Sequence, residues 1–141
     1  MAKLFSFTIC DSISNVSAGA MGMVPTLVSP QIVLRPQYIP GNFSFGIAIG
    51  ISEIDLNQTN KMRFTITSPK GEIVHDSNES ELPIPPEGKG DSLPAELQGF
   101  MMCIDIRNLA IPCEGVYIFS IFFNGENIAS HEIPIYKGLK Q

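Results

Sequence analysis

Tryptophan is absent from this chain, histidine occurs twice and cysteine three times, and each shortage narrows what the protein can be. Sugar-binding sandwiches usually present aromatic faces for stacking. With no Trp, and with most of the nine Phe on strand positions that alternate inward, carbohydrate binding is weakly supported. His75 and His131 are each followed by an acid, Asp76 and Glu132. Neighbours in a strand point to opposite faces, so neither adjacency makes a catalytic dyad. HExxH, HxH and CxxC are all missing, so a zinc site would have to be assembled from scattered residues, and both histidines read as surface or edge-strand residues. Cys10, Cys103 and Cys113 are an odd set, unlike the even framework of bridges in a small secreted domain. Cys10 and Cys103 fall on strands and read as packed thiols.

Other motifs are missing as well. No serine lies in a G-x-S-x-G elbow, and no G-x-x-x-x-G-K phosphate loop occurs. Glu87-Gly-Lys-Gly-Asp91 is Gly-rich but follows two prolines inside an acidic stretch, which would repel a phosphate. No apolar run approaches the roughly 20 residues that span a bilayer. The start, MAKLFSFTICDS, has one Lys and a short apolar run broken by Ser6 and Thr8, and reads as a first strand rather than a signal peptide. These features together suggest a reducing cytoplasm. There, the N-x-S/T triplets at Asn15, Asn42, Asn57 and Asn78 carry no meaning.

What is present is one domain's worth of alternating residues. The 141 residues are 44% hydrophobic, enough for a real core and too apolar for disorder. The net charge of −5 disfavours nucleic acid and anionic membrane surfaces as partners. The acidity is local: between Glu72 and Glu96 seven acids face a single Lys89, and that stretch carries −6 against +1 for the rest of the chain.

Period-two alternation recurs through the chain, without an amphipathic helix. Phe5, Phe7 and Ile9 form one side of a first strand. Residues 11–20 read as a polar loop, Met21 to Val28 as a strand broken by Pro25, and Gln31 to Arg35 as a short strand stopped by Pro36. From Asn42 to Ser52 the large residues Phe43, Phe45, Ile47, Ile49 and Ile51 alternate with small ones. The large side is core. The small side, Gly46, Ala48 and Gly50, needs either a covering segment of the same chain or a partner that approaches closely. Met62, Phe64 and Ile66 point inward from the next strand, Ser68-Pro-Lys-Gly71 is a turn, and residues 72–76 return as its hairpin partner. Residues 77–96 are a long, acidic, Pro- and Gly-rich loop, after which Phe100, Met102, Ile104 and Ile106 resume the alternation.

The closing segment is a complete hairpin, with Asn124-Gly125 as a type I′ turn between two strands. Tyr117, Phe119, Ile121 and Phe123 line one face. Val116, Ile118 and Phe122 make the other face apolar too, where a solvent-facing strand would be polar, so these three are candidate interface residues together with Gly46, Ala48 and Gly50. Asp76, Asn78, Glu79 and Glu81 cluster oxygen ligands at one rim and are candidate calcium ligands, although their spacing matches no recognised calcium loop. No cofactor motif is present.

Three segments resemble an uncharacterised family of small bacterial β-sandwich proteins. They are the first strand ending at Cys10-Asp11 with the apolar Ala20-Met-Gly-Met23 after it, the run Phe64-Thr-Ile-Thr-Ser-Pro-Lys-Gly71, and the hairpin Pro112-Cys-Glu-Gly-Val-Tyr-Ile-Phe-Ser-Ile-Phe-Phe-Asn-Gly125. The last is similar to a P-x-x-G-x-Y-x-F-x-I-x-x-N/D-G closing hairpin shared by many immunoglobulin-like sandwiches. The resemblance implies no enzyme activity and transfers no catalytic residue. The expectation is an all-β, antiparallel immunoglobulin-like sandwich of about seven to nine strands, one domain over residues 1–141. The expected role is that of a non-enzymatic cytoplasmic module that binds a protein partner or a second copy of itself. The alternative is a small-ligand or calcium-binding sandwich using the loops around 76–96.

Overall fold

In the computed structural model, which describes residues 2–17, 19–54, 59–82 and 99–138, the alternating segments pair into two antiparallel sheets. The strands are β1 (Lys3–Ser17), β2 (Met23–Gln31), β3 (Gly41–Ser52), β4 (Lys61–Thr67), β5 (Ile73–Asp76), β6 (Ser80–Glu81), β7 (Gly99–Ile111), β8 (Gly115–Phe123) and β9 (Glu126–Ile135). A 3-10 turn, Gly19–Met21, joins β1 to β2. The first sheet runs β2-β1-β3-β7 and the second β5-β4-β8-β9, with β6 beside β4. This is an all-β, immunoglobulin-like sandwich. Of the acidic loop, residues 77–82 are described and include β6, while 83–96 lie outside the described residues.

The core forms where the large residues of β3 meet those of the second sheet. Phe45, Ile47, Ile49 and Ile51 from β3, Ile66 from β4, and Tyr117, Phe119 and Ile121 from β8 are all essentially inaccessible to solvent. Each such side chain contributes about 1.5–3 kcal/mol before chain entropy is subtracted. Aromatic rings join the sheets: Phe7 of β1 lies 5.2 Å from Phe119, which lies 5.4 Å from Phe64.

The turns have the geometry that their residues favour. Asn124 and Gly125 adopt φ of 51° and 86°, the two positive angles of a type I′ turn. Asn124 also anchors the turn to the second sheet. Its Oδ1 accepts from Lys61 N–H at 2.8 Å, its N–H donates to Lys61 O at 2.8 Å, and its Nδ2 donates to Asn60 Oδ1 at 3.1 Å. In the 68–71 turn, Gly71 N–H donates to Ser68 O at 2.9 Å, and Ser68 Oγ accepts from the N–H groups of Lys70 and Glu72.

Tyr117 makes the strongest link between local sequence and architecture. It is fully buried, and its hydroxyl donates to Cys113 O at 2.7 Å and accepts from Cys113 N–H at 3.4 Å. A buried tyrosine tied to the backbone just upstream of its strand is the tyrosine corner of immunoglobulin-like sandwiches. Burial pushes the Tyr117 phenol above its ordinary pKa.

Near the N-terminus the structure corrects the sequence reading. Residues 11–17 are not loop: β1 runs on to Ser17 and pairs with β2 from Ser12↔Val28 to Ser17↔Met23. A polar strand is tolerated here because β2 is an edge. The same position admits Pro25 and Pro30, since an edge strand need not donate on its outer side. Gln31–Arg35 is not a separate strand; Gln31 ends β2, and Leu34 makes an isolated bridge to Ile135.

Candidate interaction surface

The small side of β3 is covered by the chain itself. Gly46 and Gly50 are buried and Ala48 is 4% exposed. A methyl group on Gly46 would lie 2.6 Å from Ile13 Cγ1 and 2.8 Å from Cys10 Sγ, and one on Gly50 would lie 2.7 Å from both Phe5 Cε1 and Ser6 Oγ. The glycines are therefore small because β1 side chains lie over them. Gly46, Ala48 and Gly50 are not available to a partner, which corrects their place among the interface candidates. Burial raises the pKa of the Cys10 thiol, which donates to Ser12 O at 3.2 Å.

What this face offers to solvent is different. The β1–β3 register shifts between Leu4 and Ser6. That bulge turns Phe5 outward and leaves Leu4 packed on the core, reversing the facing expected from alternation. The Phe5 ring is 57% exposed, and Met101 of β7 is 62% exposed. Ser6 Oγ reaches across β3 to Met101 Sδ at 4.0 Å, so β1 and β7 meet over Gly50. Sequence reasoning missed Phe5 and Met101; the small residue at position 50 was the available signal that a neighbour's ring would lie across β3.

The outer face of the second sheet is more sheltered. Val116, Ile118 and Phe122 are half-buried, and Thr65 beside them is 5% exposed. The Arg63 guanidinium lies 5.3 Å above the Phe122 ring, covering it with a long side chain. Arg63 in turn grips Asp76 with two hydrogen bonds, Nε to Oδ1 at 2.9 Å and Nη2 to Oδ2 at 2.6 Å. Those bonds and the Asn78 N–H hold the Asp76 carboxyl down from 3.8 to about 2.

Among the described residues the calcium candidates do not converge. Both oxygens of Asp76 are taken by Arg63 and Asn78, and Glu81 lies in β6 opposite Lys61. Asn78 and Glu79 are exposed between β5 and β6, where Asn78 adopts a φ of 61°. Asp76 lies opposite Thr65 and Glu81 opposite Lys61, at different ends of β4, so the candidates are spread along an edge instead of converging. Among the described residues no group of three or more His, Cys, Asp or Glu is placed to hold a metal ion. The two histidines sit on opposite edge strands of the second sheet: His75 stacks on Phe64 at 5.3 Å and His131 on Phe7 at 4.7 Å. A cleft of about 440 Å³ is lined by Asp11, Gln31, Arg35, Phe43 and Ser44, none of them fully buried. No helix among the described residues is long and apolar enough to cross a membrane.

The sequence pattern of a family of unknown function, DUF6941, matches residues 6–136. The chain belongs to that family. No curated protein matches it significantly. One solved structure similar to this DUF6941 member is an immunoglobulin-like protein from Pseudomonas aeruginosa, 10% identical over 96% of each chain, with a TM-score of 0.37. The immunoglobulin-like character of this DUF6941 member rests on its own two sheets and its tyrosine corner.

Proposed function

We propose that this DUF6941 protein is a non-enzymatic interaction module of the cytoplasm that docks a protein partner, another chain or a second copy, through the outer face of its first sheet. The observation that carries this reading is the pair Phe5 and Met101, two large apolar side chains more than half exposed on either side of a glycine-lined strand. Groups that could do chemistry are engaged elsewhere: Asp76 with Arg63, Tyr117 with Cys113, and each histidine with a phenylalanine ring. Three free cysteines, one buried and two half-buried, suit a reducing compartment.

The test is photo-crosslinking in cells of the native host, with a photoreactive phenylalanine analogue at Phe5 or Met101 and a control at Lys70 on a remote turn. Defined protein adducts from the first two sites and none from Lys70 are expected. Equal adducts from all three, or none at all, would overturn the reading.

A further inference from the structure

Two edges bound each sheet, and features that keep a further strand away mark β2, the β5–β6 edge and the end of β9. β2 contains Pro25 and Pro30, with Ser29 between them at a φ of 52°. β5 and β6 are four and two residues long, parted by Asn78 at a φ of 61°. The outer side of β9 is occupied near its end, where Leu34 N–H donates to Pro134 O at 2.9 Å and Tyr136 N–H to Leu34 O at 3.0 Å. β7 has none of these defences along most of its length. It is 13 residues long, contains neither proline nor lysine, and among the described residues pairs only with β3. Its one irregularity is a bulge at Arg107 and Asn108, where Asn108 adopts a φ of 53°.

We propose that this edge pairs antiparallel with β7 of a second copy, joining two four-stranded sheets into one across a two-fold axis. The inference rests on the reading of the chain as an interaction module and names its partner. A second copy fits because the strand is complementary to itself. With the axis at Ile106, Asp105 of each chain lies opposite the partner's Arg107. Among the described residues these two pair with each other, Nε to Oδ2 at 2.9 Å, with side chains 41% and 73% exposed. Counting the bulge as one position, inward residues also oppose inward residues: Ile104 meets the partner's Leu109, and Met102 the partner's Ile111. Met102 and Ile104 are half-buried, and the added strand covers what remains. The isologous arrangement closes on itself, so it ends at a dimer.

Size-exclusion with light scattering across the micromolar to submillimolar range, paired with amide hydrogen exchange, tests the proposal. A dimer is expected, with exchange in residues 100–106 slowing as concentration rises while β2 is unaffected. Asp105→Arg or Arg107→Asp alone places like charges opposite each other at two symmetric positions and should raise the dimer dissociation constant about tenfold or more. The double variant Asp105→Arg/Arg107→Asp restores opposite charges and should return it close to the native value. A monomer at every concentration, a dimer without added protection in β7, or a double variant as weak as the singles would overturn self-pairing. A monomer whose Phe5 site still crosslinks a different protein would overturn self-pairing alone and leave the interaction module standing.

Discussion

Replacing Tyr117 by Phe removes one oxygen atom and leaves the ring, so the change isolates the tyrosine corner from core packing. The hydroxyl makes two hydrogen bonds to the backbone of Cys113, the donated one at 2.7 Å. A neutral hydrogen bond contributes about 1 kcal/mol net, and stranding a buried peptide carbonyl costs about 1–3 kcal/mol more. Cys113 is half-buried, so water can reach part of the freed carbonyl, which favours the low end of that range. The expected loss is about 2 kcal/mol. Urea unfolding followed by circular dichroism measures it directly: the midpoint should fall by about 1 M with an unchanged slope. A midpoint within about 0.2 M of the native value would refute the reasoning, because the strand would then be held at that corner by packing alone. A changed slope would show instead that the substitution alters the denatured or native ensemble.

Two further outcomes follow from the same geometry. Asn124→Ala places a β-carbon at a φ of 51° and removes both side-chain hydrogen bonds to the second sheet, for a loss of about 2–3 kcal/mol. Asn124→Gly keeps the turn but not those bonds and should cost about half as much, so comparing the two midpoints separates backbone strain from anchoring. Asp76 has its carboxyl lowered from 3.8 to about 2, a depressed acid whose contribution is complete above the unfolded-state value and is lost as pH falls through the folded one. Native protein should therefore be more stable than Asp76→Asn at neutral pH, with the difference closing between about pH 4 and pH 2; a difference independent of pH would contradict the Arg63 pairing.

Phe5 and Gly50 show where the sequence was informative and where it was not. Alternation correctly separated the two faces of β3, and the small residues correctly announced that something lies across them. It could not say that the covering ring is Phe5, because a bulge of one residue in β1 reverses the facing of everything beyond it and leaves no trace in composition. Residues 11–17 were illegible for a related reason. A strand paired on one side, with Ile13 alone half-buried, has no apolar stripe, so DSISNVS looks like a loop until β2 is placed beside it. Nearness in sequence is not convergence: Asp76 and Glu81 lie opposite Thr65 and Lys61 at different ends of β4, along an edge, and Arg63, from that strand, holds the Asp76 carboxylate.

By itself the sequence determined the all-β class, the inward row of β8 and the I′ turn at Asn124-Gly125. These depend on side-chain period and on which residues accept positive φ, both local properties. Only the tertiary structure decided which apolar side chains are left in water and which strand edges are left open. Those depend on what packs alongside, and a strand's neighbours in a sheet come from distant parts of the chain: β7 beside β3, β4 beside β8. The proposed interaction surface, Phe5, Met101 and the edge of β7, belongs wholly to that second kind.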